Sequence, residues 1–320
     1  MKRQFFRLTC AVLILYLSTA VTFARELIPV GQIIGLELSA GTVTVAAFDD
    51  SLTVARDSGL QVGDQILSID DQTIACAEDV RRALNHSDGI VEMVVSRNGQ
   101  SQQIHMAPEI TAAGPKLGIY LKQGITGIGT VTYYDPESGK FGTLGHGVND
   151  SKGALLPMTK GSAYPASIVS VQKGKAGAPG QLKGSLKNDH LLGSLTGNTA
   201  RGVFGKAPGC FQGSALPLAA ADQVRLGPAT IRSTVNSRGP RNYSVEILKI
   251  YPKSRSDGRN LLIRVTDPAL LETTGGIVQG MSGSPIIQDG KLVGAVTHVL
   301  VNDPTRGYGI FIENMLDAAG

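Results

Sequence analysis

A serine lies in a glycine-rich turn, Gly280-Met281-Ser282-Gly283-Ser284-Pro285, directly ahead of a hydrophobic segment that predicts a strand. A serine hydroxyl is a weak nucleophile at neutral pH, and it needs a base within hydrogen-bond reach that a third group orients. Glycines on both sides would let the backbone bend sharply and leave the hydroxyl accessible. An ordinary loop serine is the alternative reading, and Ser284 is a second candidate for the same role. The turn therefore predicts nucleophilic chemistry only if the chain also supplies a suitable histidine.

The chain has five histidines: His86, His105, His146, His190 and His298. His146 follows a predicted strand and stands between two glycines, where a tight turn can aim an imidazole. The first two histidines belong to an N-terminal module of different character. His190 and His298 are competitors, and the pattern around His298 favours a strand residue packed near the site. His146 is therefore the predicted base.

A carboxylate that could orient His146 is less well defined. Asp267 follows a predicted strand, and the order His, Asp, Ser with the pattern G-x-S-G-x-P is typical of chymotrypsin-like double barrels. An Asp followed by Pro is also a common turn. Asp150 and Asp189 remain alternatives for the orienting group.

Composition limits the classes of protein. A chain of 320 residues accommodates about two domains, and 40 glycines with 42% hydrophobic residues favour many short strands joined by turns. The net charge of +4 is spread along the chain without a run of basic residues, which gives no support for nucleic-acid binding. After the N-terminal segment only Cys76 and Cys210 remain, so no disulfide framework is expected, and the histidines and cysteines show no metal-ligand spacing.

The N-terminus predicts export. Lys2, Arg3 and Arg7 accompany an apolar run from Leu8 to Ala24. This is the pattern of a signal peptide, and its length is also at the short limit of a membrane-spanning helix. Residues 1–24 are therefore interpreted as a signal peptide or a membrane anchor, and the remainder is expected outside the cytoplasm.

Residues 27–108 read as a compact module with strands, one helix near Val80 and a hairpin at Asn98-Gly99. The stretch GLQVGDQIL, from Gly59 to Leu67, and the helix resemble a PDZ domain. A PDZ domain binds an extended peptide along an exposed strand, with its terminal carboxylate in the preceding loop. The resemblance assigns peptide binding to Gly31, Gln32, Ile33, Ile34, Gly35, Leu36, Val80 and Leu84. The alternative is that these glycines only shape a turn and that Val80 is only core.

Residues 112–320 contain many short strand-like runs without helices between them, which predicts antiparallel β structure. This pattern argues against an α/β-hydrolase, because Pro285 begins a predicted strand where that fold requires a helix after the nucleophile. The predicted architecture is mainly β: an N-terminal PDZ domain followed by a chymotrypsin-like double β-barrel peptidase domain.

Three stretches carry a closer resemblance: GTVTYYDPESGKFGTLGHGVND, KGKAGAPGQLKGSL, and VTDPALLETTGGIVQGMSGSPIIQDGKLVGAVTHVLVNDPTRGYGIFIENML. They are similar to the stage IV sporulation protein B family of serine peptidases. The resemblance implies Ser282 as nucleophile, His146 as general base and then acid, and Asp267 as the orienting carboxylate. The backbone N–H groups of Gly280 and Ser282 would form the oxyanion hole, and no cofactor is implied.

The same resemblance implies a biological setting. Members act between the forespore and mother-cell membranes in intercompartmental signalling during sporulation. They cleave the extracytoplasmic part of a membrane-bound regulator, which releases an intramembrane protease and activates a late sigma factor. Self-cleavage near the N-terminus is also implied. The PDZ ligand is the substrate, another partner or the enzyme itself.

Two other functions compete with this interpretation. An exported PDZ adaptor without activity would not need Ser282, His146 and Asp267 together. A periplasmic-type quality-control protease shares the chemistry, but such proteins usually carry the PDZ domain after the protease domain.

Overall fold

A computed structural model describes residues 25–150, 153–187 and 190–320. The expected signal peptide or anchor, residues 1–24, lies outside the described residues. The chain begins with two strands, β1 (Glu26–Pro29) and β2 (Ile33–Ser39). The sequence that follows β2 folds into a small separate domain before the chain returns to pair with β2.

The small domain is a five-strand sheet with one short added strand and two helices. Its strands are β3 (Val43–Phe48), β4 (Gln65–Ile69), β5 (Gln72–Thr73), β6 (Val91–Arg97), β7 (Gln100–Met106) and β10 (Ile119–Lys122), and a separate hairpin is formed by β8 (Glu109–Thr111) and β9 (Gly114–Lys116). The helices are α1 (Val54–Asp57) and α2 (Ala77–His86). The sheet order is β10-β3-β4-β6-β7, with β5 on β4, so that β10 is an edge strand. Helix α2 buries Val80, Ala83 and Leu84, the residues expected from its spacing.

Two local predictions in the small domain are explained by the structure. Asn98 and Gly99 both have positive φ and join β6 to β7 in a two-residue turn, as the Asn-Gly signal predicts. Asp64, in the GLQVGDQIL stretch, is buried, and its carboxylate accepts hydrogen bonds from Arg97 Nε at 2.7 Å and from the Gln61 amide at 2.8 Å. Burial alone would raise the pKa of Asp64, but these hydrogen bonds outweigh it and lower the pKa. The aspartate of this motif therefore ties the turn before β4 to the end of β6.

The first barrel contains β2 and the strands that follow the small domain. These are β11 (Ile125–Tyr134), β12 (Lys140–Thr143), β13 (Lys160–Gln172), β14 (Gln181–Leu186), β15 (Gly193–Thr199), β16 (Gly202–Lys206) and β17 (Leu216–Pro217). The path β12-β16-β15-β13-β2-β11 is closed by the pairing of β11 with β12, which gives a six-stranded antiparallel ring. Strands β1 and β17 extend this sheet beyond the ring, and β14 pairs with the outer part of β13.

The second barrel is a closed six-stranded sheet formed by the C-terminal part of the chain. Its strands are β18 (Gly227–Ser233), β19 (Arg241–Ile250), β20 (Leu261–Val265), β21 (Pro285–Gln288), β22 (Lys291–Leu300) and β23 (Asp303–Phe311). A 3-10 turn (Ala221–Gln223) precedes it, helix α3 (Pro268–Thr274) follows β20, and helix α4 (Ile312–Ala319) ends the chain. Among the residues that the structure describes, no helix has the length and apolar character needed to cross a membrane.

The prediction of mainly β structure with two barrels is confirmed, whereas the predicted start of the small domain at residue 27 is wrong. Strand β2 belongs to the first barrel, because it pairs with β11 on one side and β13 on the other, and β1 pairs with β11 beyond the ring. A strand that is paired on both edges is shielded from solvent, and accordingly five of the seven β2 residues are buried. The small domain is therefore inserted between β2 and β11, and the strands of its own sheet run from Val43 to Lys122.

Candidate active site

Ser282 lies in the loop between α3 and β21, and it is the accessible serine of the glycine-rich turn. Its side chain is half-buried, and Oγ donates a hydrogen bond to the Thr297 carbonyl at 2.8 Å. Ser284 is fully buried, with Oγ 2.7 Å from the Met281 carbonyl and 3.0 Å from Ser233 Oγ. A substrate carbonyl can reach the first hydroxyl and not the second.

Two buried threonines of β11 hold the serine loop. Thr130 Oγ1 donates to the Gly280 carbonyl at 2.8 Å, and Thr132 Oγ1 donates to the Gly283 carbonyl at 2.7 Å. The Thr130 amide also donates to the Ser282 carbonyl at 3.0 Å. These three hydrogen bonds fix the orientation of the carbonyls of Gly280, Ser282 and Gly283 against the first barrel. In the sequence these threonines look like ordinary strand residues, so no local pattern identifies their role.

The N–H groups of Gly280 and Ser282 have no hydrogen-bond acceptor among the described residues. Unpaired backbone N–H groups are uncommon in folded proteins unless they bind solvent or a ligand. Two such donors that flank Met281, one of them on the serine itself, could stabilise negative charge that develops on a carbonyl oxygen at Ser282. These are the two residues for which an oxyanion hole was predicted.

Gly283 allows this loop to lie close to the first barrel. Its φ is 96°, in the region that favours glycine. A Cβ atom there would lie 1.9 Å from the Thr130 carbonyl oxygen and 2.6 Å from the Leu144 nitrogen. No other side chain fits this contact without displacement of the backbone, which explains the glycine after the serine.

His146 follows β12, in a segment that meets the serine loop. Gly145 approaches Thr297 so closely that a Cβ would lie 2.9 Å from Thr297 Cγ2, and Thr297 is the residue whose carbonyl binds Ser282. The imidazole Nδ1 is 2.9 Å from the Gly147 carbonyl oxygen. A carbonyl only accepts, so Nδ1 carries the proton and Nε2 is left with a lone pair. Burial lowers the pKa of His146 below its ordinary value, which keeps the imidazole neutral and able to accept a proton.

His298 lies on β22 and packs against His146, with ring centroids 5.1 Å apart. This agrees with its interpretation as a strand residue near the site. Burial, followed by the neighbouring His146 and Arg259, lowers the pKa of His298 to about 4. The other three histidines lie elsewhere: His86 and His105 in the small domain, and His190 between β14 and β15.

Asp267 does not occupy the predicted place beside the imidazole. It is the N-cap of α3, where Oδ1 accepts from the Leu270 amide at 3.0 Å and Oδ2 accepts from the Ser244 amide at 3.3 Å. Asp followed by Pro at the first helical position is a helix-start signal, and that use of the residues prevails here. An orienting role for Asp267 stays a prediction that would require its carboxylate to leave the cap. In the described arrangement the Gly147 carbonyl holds the imidazole.

Asp150 and Asp189 are the two alternative carboxylates. Asp150 Oδ1 accepts from the Ala154 amide at 3.0 Å in a local turn. Asp189 lies outside the described residues.

The small domain has a groove of about 330 Å³ between α2 and the edge strand β10. Val80 and Leu84 line it from the helix, as predicted, and Ile119 and Leu121 line it from the strand. In the loop before β10, the N–H groups of Leu117 and Gly118 have no acceptor among the described residues. An edge strand with free amides in the preceding loop is the arrangement that receives an extended peptide with a terminal carboxylate.

The predicted strand side of this groove is wrong. The residues assigned to it lie in and before β2 of the first barrel, where the Gly31 carbonyl accepts from Thr234 Oγ1 of the second barrel at 2.9 Å. They are Gly31, Gln32, Ile33, Ile34, Gly35 and Leu36. The glycine and strand that serve the groove are those of Lys116-Leu117-Gly118-Ile119, a stretch predicted from the sequence to belong to the peptidase domain, residues 112–320.

Comparison with protein families assigns the chain. Residues 114–316 match the model described as SpoIVB peptidase S55. The chain belongs to the SpoIVB peptidase S55 family. Residues 53–97 match a PDZ domain, within the small domain. The chain thus combines an S55 peptidase domain with a PDZ domain, and the S55 match begins after β2 although this strand completes the first barrel.

More distant similarities cover parts of the chain. A curated protein of Rhizobium meliloti (strain 1021), named "Putative zinc metalloprotease R01501", is 33% identical over 98 residues, which are 30% of this chain and 25% of that protein. The active form of the Rv3671c protease from M. tuberculosis is 15% identical with a TM-score of 0.37, over 62% of this chain and 75% of that one. The HtrA-type protease AlgW with tripeptide is 13% identical with a TM-score of 0.36, over 60% of this chain and 54% of that one.

Replacing the cap residue of α3 tests the observed place of Asp267. We expect Asp267→Ala to lower the free energy of unfolding of the S55 peptidase by about 1 kcal/mol, because it removes an N-cap acceptor. Asp267→Asn retains a side-chain acceptor, and we expect a clearly smaller fall in its free energy of unfolding. Urea unfolding of the two variants beside the wild type measures the difference. Equal stability of all three would contradict the capping role.

The pH dependence of catalysis follows from the state of the histidines. A general base must be neutral to accept a proton, and a lowered pKa keeps His146 neutral at lower pH. We expect the acid limb of kcat/KM to have its midpoint below 6.5, the ordinary value for histidine. At the neighbouring His298, the charge of Arg259 lowers the pKa and the charge of Asp257 raises it. A midpoint at or above 6.5, in an enzyme still folded by near-UV circular dichroism, would contradict the neutral, buried imidazole.

Proposed function

We propose that the protein is an endopeptidase that cleaves its substrate through an acyl-enzyme on Ser282. The observation that carries this proposal is the pair of unpaired N–H groups at Gly280 and Ser282, beside an accessible hydroxyl. For reaction, the hydroxyl must turn from the Thr297 carbonyl toward Nε2 of His146. His146 then takes the hydroxyl proton as Oγ attacks the peptide carbonyl, and returns it to the leaving amine.

The two N–H groups would stabilise the tetrahedral intermediates that form before and after the acyl-enzyme. Their geometry is set before substrate arrives, because Thr130 and Thr132 already hold the loop carbonyls on the opposite side. Donors that need no reorganisation stabilise a transition state more than donors that must be ordered during the reaction. Water then hydrolyses the ester with His146 again as base, so the residues described supply every proton transfer.

The substrate in this proposal is the extracytoplasmic part of a membrane-bound regulator, cleaved in signalling between compartments during sporulation. Family membership supports this setting, and the N-terminal sequence, with basic residues accompanying an apolar run, supports export or anchoring. Cleavage would release an intramembrane protease and so activate a late sigma factor. Self-cleavage near the N-terminus belongs to the same proposal.

The PDZ groove would bind an extended peptide end along β10. Val80, Leu84, Ile119 and Leu121 supply apolar contacts, and the loop before β10 supplies amides for a carboxylate. Its ligand is the substrate, a partner or a segment of the enzyme itself.

Two experiments on the full-length chain test this proposal: covalent labelling of the active site and complementation in a spore-forming host. In detergent, intact-mass measurement after treatment with a fluorophosphonate should show one covalent adduct on the wild type and none on His146→Ala. In an endospore-forming bacterium that lacks its own family member, the wild-type chain should restore expression of a reporter that depends on the late sigma factor. A labelled enzyme that does not restore the reporter would overturn the signalling role and leave the peptidase. An unlabelled, folded chain would overturn the catalytic proposal in favour of a silent PDZ adaptor.

A further inference from the structure

A cationic side chain with one buried, unpaired donor lies near His298, one of the two packed histidines. Arg259 belongs to the loop between β19 and β20, and its guanidinium carbon is 5.2 Å from the centre of the Tyr308 ring. Its Nε is buried and has no hydrogen-bond partner among the described residues. The nearby carboxylate of Asp257 is already held by Arg255, at 2.6 Å from Nε and 2.8 Å from Nη2. The Arg259 backbone amide also donates to Asp257 Oδ1 at 3.1 Å, and the two charges attract each other, but Arg259 Nε keeps a donor that no described residue accepts.

The second unpaired group is His298. It lies opposite Tyr308 in the pairing of β22 with β23, so both side chains and Arg259 belong to one wall of the second barrel. Its Nδ1 is buried and also lacks a partner among the described residues. The same imidazole packs on His146, and the preceding residue, Thr297, binds Ser282. The wall thus connects the catalytic centre to Arg259.

Two buried polar atoms without partners in one wall require an explanation, because leaving such groups unsatisfied costs stability. A carboxylate that reached both atoms would satisfy them: it would accept from the guanidinium Nε–H and from an imidazole N–H, and charge-assisted hydrogen bonds of this kind are stronger than neutral ones. In an enzyme whose substrate is a polypeptide, the carboxylate that reaches this wall is an aspartate or glutamate side chain near the scissile bond.

We propose that Arg259 and His298 form a substrate subsite for an acidic side chain next to the bond that Ser282 cleaves. This inference rests on the proposed catalytic function of Ser282 and His146. It adds a specificity determinant: peptides with Asp or Glu at one position close to the scissile bond are cleaved in preference to their amide counterparts.

The test maps specificity in the full-length enzyme. A library of peptides from a digested bacterial proteome is incubated with the wild type, and new termini are identified by mass spectrometry. The best acidic peptide and its Asn or Gln counterpart are then compared by kcat/KM. We expect a preference of about tenfold or more for the acidic peptide, the size of one charge-assisted hydrogen bond. In Arg259→Gln the preference should fall below about twofold.

Controls separate specificity from folding and from net charge. Arg255→Gln removes the same charge from the same loop at a residue already paired with Asp257, and its preference should stay within about threefold of the wild type. Arg259→Lys keeps a charge without the buried Nε–H and should give an intermediate ratio. Fluorophosphonate labelling counts the active sites of each variant, so that the ratios refer to folded enzyme.

Each outcome decides the proposal. Absence of acidic enrichment around the sites cleaved by the wild type would overturn the subsite and leave the peptidase function. Equal losses on acidic and amide peptides in Arg259→Gln would show a purely structural role and also overturn it. A wild type that is labelled by fluorophosphonate but cleaves no peptide would overturn the endopeptidase proposal together with the subsite.

Discussion

Ser282→Ala is expected to abolish fluorophosphonate labelling and to lower kcat/KM by at least about 10⁴-fold, since removal of the nucleophile of a serine peptidase leaves only the contribution of binding and the oxyanion hole. Ser282 is accessible, and its own N–H group and that of Gly280 are unpaired among the described residues. The measurement is hydrolysis of a peptide that the wild type cleaves, normalised to folded protein. A fall of less than tenfold would exclude Ser282 as nucleophile.

Ser284→Ala is the matched control for this prediction. Its hydroxyl is fully buried and bonds to Ser233 and to the Met281 carbonyl, so the change removes two structural hydrogen bonds, each worth about 1 kcal/mol. We expect a lower melting temperature with labelling retained. Loss of labelling in folded Ser284→Ala together with its retention in Ser282→Ala would reverse the assignment.

Gly283→Ala is expected to lower kcat/KM by at least about 10²-fold, the effect of losing one oxyanion-hole donor. The added Cβ would lie 1.9 Å from the Thr130 carbonyl oxygen, so the serine loop must move away from β11. That movement displaces the Ser282 N–H from its position. Activity and thermal unfolding are measured together, because the positive φ of Gly283 adds about 1 kcal/mol of backbone strain.

Gly290→Ala separates backbone strain from the clash. Gly290 also has a positive φ, 74°, but no atom lies within 4 Å of its added Cβ. We expect Gly290→Ala to lose a similar amount of stability through backbone strain and to keep near wild-type activity. If both variants lose activity equally, strain and not the contact with β11 accounts for the effect. If neither does, the loop tolerates displacement and the oxyanion hole is not set by this contact.

The serine turn and its histidine could be predicted from sequence because their requirements are local. A serine between glycines and a histidine between glycines are recognisable from their immediate neighbours, and the structure brings both segments to Thr297. The contributions of Thr130 and Arg259 depend on contacts between distant strands and loops. Local patterns give no distance between such residues, so these parts of the site become visible only in the fold.

The misplaced residues share a physical reason. A glycine before an alternating strand describes both Gly31 before β2 and Gly118 before β10, and only strand pairing distinguishes a barrel strand from a groove strand. Asp267 presents the same ambiguity, since Asp-Pro after a strand suits a helix cap as well as an orienting carboxylate. The prediction of two β-barrels does not depend on the placement of single residues, because it rests on the number of strands and the scarcity of helices.

The insertion of the PDZ domain between β2 and β11 makes it a replaceable module. These strands are antiparallel neighbours, with Leu38 opposite Ile125, so the domain occupies the place of a hairpin turn. The entropic cost of closing a connection grows only slowly with its length. The length of the inserted segment therefore has little effect on the stability of the barrel. A short turn or an unrelated recognition domain could be exchanged at this point without any change in barrel strand order. Recombination could thus alter what the enzyme recognises while the catalytic barrels keep their architecture.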